Sequence, residues 1–247
     1  MTTFKGDKLP TATAHQSRLR LFQPTRRPKS IEEVIKTPWG TIRIKGRLGQ
    51  AHANILEAML SHCEKHAKLE DGRIKLLIDP YQIMKTANQT SWSTFKKNLD
   101  DLMQAIIEIK EPDHLKCIGH LIDHIDKAVR SDGTSITKHN PLGGEREMWR
   151  VEIGKAGTML IESDLKLFYK TQIIASLKYG ISQAVARHIL THKTEPNGGW
   201  KVDVLIFALC PNIPSYSLKD RRNELAEDAP GLLATGLKIE NKRIHLN

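Results

Sequence analysis

Cysteine is scarce in this chain of 247 residues: only Cys63, Cys117 and Cys210 occur. They are odd in number, far apart and form no C-x-x-C pair. That excludes a disulfide framework and a structural zinc site, and fits a reducing cytoplasm. Long apolar runs are missing too; none approaches the ~18 residues of a membrane span. The N-terminus is basic and polar and has no apolar stretch of the secretory kind. No G-x-x-x-x-G-K-[ST] occurs, which argues against a P-loop motor, and Gly143-Gly144 and Gly198-Gly199 read as turn glycines. G-x-S-x-G and H-E-x-x-H are absent as well. The expectation is a protein that is not an enzyme and carries neither cofactor nor metal.

What the chain has in excess is positive charge. Lys and Arg number 38 against 28 Asp and Glu, a formal net charge of +10. Such a balance favours phosphate backbones, because neutralising phosphates releases counterions. The first segment concentrates it. Lys5, Lys8, Arg18, Arg20, Arg26, Arg27 and Lys29 face the single acid Asp7, with Pro10, Pro24 and Pro28 interspersed. Little apolar surface is available there to offset ordering entropy, so residues 1–36 are expected to be a flexible, disordered basic arm.

The remainder states one plan twice. In the first half a strand is expected at 41–45 and a helix at 50–68, with Ile55, Leu56, Met59, Leu60 and Cys63 at helical spacing. A strand at 73–78 follows the turn at Gly72. Asp79-Pro80 opens a short helix, since Asp caps well and Pro suits the first helical position. A longer helix starts at Thr90 or Ser91 and runs to about 109 on the stripe Phe95, Leu99, Leu102, Met103, Ile106 and Ile107. Two long alternating strands, 115–125 and 149–161, then flank a polar, glycine-rich loop at 130–144. The second half begins near Asp164 and repeats the order: a helix capped by Ser182 and ending near His192, a turn at 197–199, a strand at 200–202 and a helix at 204–209. A helix capped by Ser215 or Ser217 follows and is broken at Pro230-Gly231. A hairpin closes the chain around the basic tip Glu240-Asn241-Lys242-Arg243. This is the layout of an α+β protein with two tandem winged-helix (helix-turn-helix) domains, at 37–162 and 163–247.

In such a domain the second helix of the pair presents small polar and basic side chains to the major groove. Arg pairs bidentately with guanine and Asn with adenine, which makes Arg221, Arg222 and Asn223 the base readers of the second unit, flanked by Ser217 and Lys219. In the first unit Ser93, Thr94 and Lys97 take that role, and Lys96 meets phosphate. The wings offer Lys127, Arg130 and Lys138 in one unit and Lys238, Lys242 and Arg243 in the other. The bland alternative is a pair of amphipathic helices with solvated basic faces. Another is a metal site: on one strand His120, His124 and Asp126 would share a face, although a wing strand with polar residues on one face is the favoured account of them.

Two resemblances sharpen this. Arg18-Leu19-Arg20-Leu21-Phe22 resembles the Q-L-x-L-F peptide by which bacterial replication proteins dock on the sliding clamp. Here Arg18 replaces the usual Gln and Gln16 lies two positions early. The order of elements resembles plasmid replication initiators with two winged-helix domains, including the iteron-binding initiators of IncQ-type plasmids. The residues that carry it are the S-x-x-A-R-type helix from Ser182 through Arg187 to Leu190, the Gly-Trp turn, and Lys219-Asp220-Arg221-Arg222 leading through Leu232-Leu233 to Gly236-Leu237. The likeness spans roughly residues 40–247 and is specific from about 160 onward. It implies a bacterial, cytoplasmic, nucleoid- or plasmid-associated protein that binds direct repeats in double-stranded DNA, helps melt an AT-rich tract and recruits the sliding clamp and replicative helicase machinery. It also implies self-association as a homodimer and no membrane partner. A winged-helix transcriptional repressor is the rival reading, and a metal-dependent nuclease using His120 and His124 is a third.

Overall fold

Two hydrophobic cores organise the chain in the computed structural model, which describes residues 8–37, 40–111, 114–140, 143–162 and 165–247. Lys5, Asp7, Pro141, Leu142 and Asp164 lie outside the described residues. The first core runs from Leu19 to Ile161 and the second from Ile174 to Ile244. No helix among the described residues is long and apolar enough to cross a membrane.

The chain opens with β1 (Ala12–Thr13), α1 (Ala14–Arg18), β2 (Ile31–Thr37), β3 (Gly40–Gly46) and α2 (Gln50–His62). Next come β4 (Lys65–Lys68), β5 (Ile74–Ile78), α3 (Pro80–Thr86), α4 (Trp92–Gln104), β6 (Ile106–Glu111) and β7 (His114–His120). The first unit ends with β8 (Ile122–Lys127), β9 (Thr137–His139), β10 (Glu145–Glu147), β11 (Trp149–Ile153) and α5 (Lys155–Glu162). The second contains β12 (Lys166–Leu167), α6 (Thr171–Ser176), α7 (Gly180–Leu190), β13 (Trp200–Lys201) and α8 (Val202–Leu209). It closes with α9 (Ser215–Glu227), α10 (Ala229–Ala234), β14 (Leu237–Glu240) and β15 (Arg243–Leu246).

The two units share one path. In the first, α2-β5-α3-α4-β8-β11 closes a sheet ordered β4-β5-β11-β8; in the second, α7-β13-α8-α9-β14-β15 closes one ordered β13-β15-β14. In both, a strand between the first and second helices of the path, β5 or β13, pairs with β11 or β15, which in turn pairs with the edge strand β8 or β14. β4 is a further edge strand of the first unit, and α10 stands between α9 and β14 in the second. The first unit adds a second sheet, β2-β3-β6-β7, two of whose strands are inserted directly after α4.

Four expected elements end elsewhere. The helix from Gln50 stops at His62, and 65–68 form β4, because a hairpin through Gly72 (φ 88°) pairs them with β5. The helix through Phe95 stops at Gln104. Ile106, Ile107 and Ile109 are β-branched and alternate in burial, so the segment pairs with β3 as a strand. Residues 115–125 are two strands in different sheets, broken at Leu121. Residues 155–162 are helix, packed so closely on the β7–β8 corner that a Cβ at Gly154 would lie 2.2 Å from the His120 carbonyl oxygen.

The arm departs most from expectation. Residues 8–30 are not free chain. Ala12 and Thr13 pair with Leu167 and Lys166, Thr13 Oγ1 donates to the Leu160 carbonyl at 2.8 Å, and the Gln23 N–H donates to the Leu48 carbonyl at 3.0 Å. Charge and proline content hid a few apolar residues that have a core to enter. Leu19, Leu21 and Phe22 are buried in the first core. Arg18 donates from Nε to Thr191 Oγ1 (3.0 Å) and from Nη2 to its carbonyl (2.8 Å), so the arm touches both units.

The far end of α7 yields a pH prediction. Burial, then the neighbouring charges of His192 and Arg18, push the His188 imidazole down to about 4, and its Nδ1 is buried without a partner. The unfolded chain takes up that proton near 6.5 and the folded chain near 4. Stability is therefore lost as pH falls from 6.5 towards 4, at up to ~1.4 kcal/mol per unit and on the order of 2 kcal/mol in all after allowance for partial exposure. His188→Gln should lose less stability than the parent between pH 7 and 4.5 in urea titrations. Parallel losses would mean that His188 stays solvated.

Candidate nucleic-acid interface

The start of α4 is set by Ser91, whose Oγ accepts the Thr94 N–H at 3.2 Å. Phe95, Leu99 and Leu102 face the core, and Phe95 meets Trp92 at a tilt and stacks with Trp149, at centroid distances of 5.4 and 6.5 Å. Helical spacing then turns Ser93, Thr94 and Lys97 outward together, and all three are exposed, as is Lys96. Lys96 Nζ sits 5.7 Å above the Trp92 ring, which tethers its stem at the helix entrance. The residues expected to read bases in the first unit thus form one accessible, basic, hydroxyl-bearing face.

In the second unit α9 is arranged differently. It begins after Pro214, without a side-chain cap from Ser215 or Ser217. Leu225 is its buried anchor, and Leu218 and Arg221 lie on the same line at i−7 and i−4. Arg221 is half-buried there and donates from Nη1 to Glu224 Oε2 at 2.7 Å. Arg222 turns towards α8, where Nε and Nη2 grip Asp203 Oδ1 and Oδ2 at 2.7 and 2.6 Å. That bidentate hydrogen bonding holds the Asp203 carboxyl below its ordinary range. The outermost face of α9 carries Tyr216, Lys219, Asp220, Asn223 and Glu227, all exposed, while Ser217 is half-buried. Lys219 and Asn223 are therefore displayed as expected, whereas both arginine forks are engaged within the unit. The clue was present in the sequence, in the 218–221–225 spacing and the acid in the first turn of the preceding helix.

The wings also divide. Beyond β8 the first hairpin branches at Ala128, Ile136 and Met148, whose backbones bond to one another, into a turn at 129–135 and the β9–β10 hairpin. Arg130 is exposed on the first branch and donates from Nη1 to Thr134 Oγ1 at 3.2 Å. Lys127 pairs with Glu147 at 2.9 Å and Lys138 pairs with Glu64. At the other tip Asn241 and Lys242 both adopt positive φ (47° and 59°), the geometry of a tight two-residue hairpin turn. Lys242 projects outward. Lys238 pairs with Glu240 at 2.6 Å, and Arg243 ties the Gly198 and Gly199 carbonyls at 2.6 and 3.1 Å, so Arg243 braces the β13 turn.

Two further expectations change. His120 sits on β7, with Nδ1 3.0 Å from the Ala105 carbonyl oxygen, and His124 sits on β8 in another sheet, so the break at Leu121 removes the single strand face they were to share. Leu19, Leu21 and Phe22 are only 8, 2 and 8 % exposed, so the motif resembling a clamp-docking peptide is part of the first core in this conformation.

No family model matches the chain, and no curated protein matches it. Among solved structures, domains 2 and 3 of RctB, crystallised as selenomethionine derivatives, are similar over 93% of this chain and 89% of that one. The TM-score is 0.59 and the sequence identity 13%. At that identity the likeness is one of fold, and it extends through both units.

Proposed function

We propose that the chain is a sequence-specific, double-stranded DNA-binding replication initiator of a plasmid or similar mobile element, and that each unit is a winged helix. The observation that carries this reading is the repeated path: in each unit a helix, α4 or α9, precedes the antiparallel strand pair that completes the sheet. That pair is β8 and β11 after the inserted β6 and β7, and β14 and β15 after α10, and basic residues lie in the connection between those strands. The net charge of +10 and the exposed Lys96, Lys97, Lys219 and Lys242 supply the phosphate attraction. The similarity to domains 2 and 3 of RctB, a replication initiator, supports the biological role.

The proposed mechanism is mechanical. The two helices enter successive major grooves on one face of the duplex, about 10.5 bp apart, which gives a site near ~20 bp. Occupancy of several repeats bends the DNA and lowers the cost of opening a neighbouring, easily melted segment. Ser93, Thr94 and Lys97 carry base contacts in the first unit, and Lys219 and Asn223 in the second. Docking on a sliding clamp through Leu19, Leu21 and Phe22 would require their release from the first core.

A footprint on the DNA flanking the native gene, at stated salt, tests the reading. Protection of several direct repeats of about 20 bp beside an AT-rich tract is the expected result. A single inverted repeat over the promoter would make the protein a repressor, and absence of any specific protection would defeat DNA reading altogether. The Asp203–Arg222 pair gives a finer test. Asp203→Ala should tighten DNA binding several-fold, since it removes a carboxylate beside α9 and frees the Arg222 fork. Unchanged affinity would assign the pair to holding α8 against α9.

A further inference from the structure

Helix α2 carries a polar row, Gln50, Asn54 and Glu57, at i, i+4 and i+7, the pattern of a solvated face. Here it is buried. Eleven of the 13 residues of α2 are buried, because the helix lies between the two cores: Ile55, Leu56, Met59 and Leu60 face the first, and the polar row faces α7. Arg187 of α7 meets that row with its whole guanidinium. Nε donates to Glu57 Oε1 at 2.6 Å, Nη2 to Glu57 Oε2 at 2.8 Å and Asn54 Oδ1 at 2.6 Å, and Nη1 to Gln50 Oε1 at 2.7 Å. Tyr169 Oη donates to Glu57 Oε1 at 2.7 Å. The Arg187 and Glu57 side chains are each 4% exposed.

We infer that Arg187 and Glu57 are positioning residues that set the distance and rotation between the two reading helices, and so dictate the spacing of DNA half-sites the protein accepts. This rests on the tandem DNA-reading function proposed above. An apolar contact between two helices tolerates sliding. A planar fork held on three side chains of one helix does not, since each bond is directional and, among the described residues, Glu57 is the carboxylate that pairs with the charge. The linkage continues outward from both sides. On one side His52 Nε2 of α2 lies 3.3 Å from Asp101 Oδ2 of α4. On the other, Asp228 at the end of α9 accepts the Lys178 and Tyr179 N–H groups at 3.0 and 2.8 Å, at the entry to α7. A hydrogen-bonded path therefore runs α4–α2–α7–α9, from one reading helix to the other.

The experiment uses half-sites isolated from random-sequence DNA with the full-length protein, then duplexes in which their spacer is changed one base pair at a time. Each added base pair shifts one half-site by about 3.4 Å and rotates it by about 34°. Wild-type affinity should fall at least ~10-fold for a change of two base pairs. Glu57→Leu combined with Arg187→Met removes the fork without stranding a charge. It should flatten the profile to within ~3-fold while leaving affinity for a single half-site and the circular dichroism spectrum unchanged. Tyr169→Phe, which deletes one bond to Glu57 and no charge, should broaden the profile partially and keeps the test open where the double variant does not fold. A folded double variant, or Tyr169→Phe in its place, with the wild-type spacing profile overturns the assignment of Arg187 and Glu57 but leaves tandem reading intact. A wild-type profile that is flat from the outset defeats both.

Discussion

Glu57→Ala should lower the unfolding free energy by about 3–5 kcal/mol, the usual cost of stranding one member of a buried ion pair. Arg187 would keep the Gln50 and Asn54 oxygens, which are dipoles, and lose its only counter-charge in the network. Water has little access, because both side chains are almost wholly enclosed between the two cores. Arg187→Ala should cost a similar amount by leaving the Glu57 carboxylate without its cation. Urea unfolding followed by circular dichroism reads both, and a loss under 1 kcal/mol would show that water enters the interface and solvates the survivor. The exposed pairs set the contrast. Lys178–Glu227 and Lys68–Glu162 have comparable distances, 2.9 and 2.7 Å, but their side chains are 45–66% exposed. Removing either should change stability little, because water and salt screen an exposed pair.

The second large effect concerns DNA. Neutralising Lys96, Lys97, Lys219 and Lys242 together, as glutamines, should reduce the salt dependence of binding by as much as 3–4 in the slope of log K against log salt. Affinity at 0.1 M salt should drop by about 10²–10³-fold. All four are exposed on α4, α9 or the second hairpin tip, and none is needed by a core, so the fold should be untouched. Binding should weaken similarly on specific and random duplexes if these are phosphate contacts. Lys97 and Lys219 restored singly would separate a base reader, which recovers discrimination, from a phosphate contact, which recovers affinity alone. A salt slope equal to that of wild type would place the DNA on another face.

Much of the fold is legible in the residues because local rules and tertiary structure agree there. Asp79-Pro80 opens α3, with Asp79 Oδ1 accepting the Tyr81 N–H at 3.0 Å, and Ser91 caps α4. The Phe95, Leu99, Leu102 stripe faces inward, and the Asn241-Lys242 turn closes the last hairpin. These signals span a few residues and depend on the backbone nearby. The exposed row at Ser93, Thr94 and Lys97 follows from the same helical period. Errors gather where a segment has two permissible partners. Residues 106–109 continue the stripe of α4 and also alternate as a strand, and a neighbour, β3, settles the matter.

From composition and periodicity follow the α+β class, the doubled order of elements, the basic character and the exposed face of α4. These depend on short-range sterics, on spacing along one helix or strand and on the sum of charges, none of which needs a distant contact. Long-range packing decided the rest. It buried Leu19, Leu21 and Phe22 of a basic arm, turned Arg221 and Arg222 away from the outermost face of α9, and separated His120 from His124. It also converted the polar row of α2 from a surface into an interface, because Arg187, 130 residues further along the chain, supplies the charge that makes burying Glu57 tolerable. A polar stripe reads the same whether water or a guanidinium covers it, and only the fold specifies which.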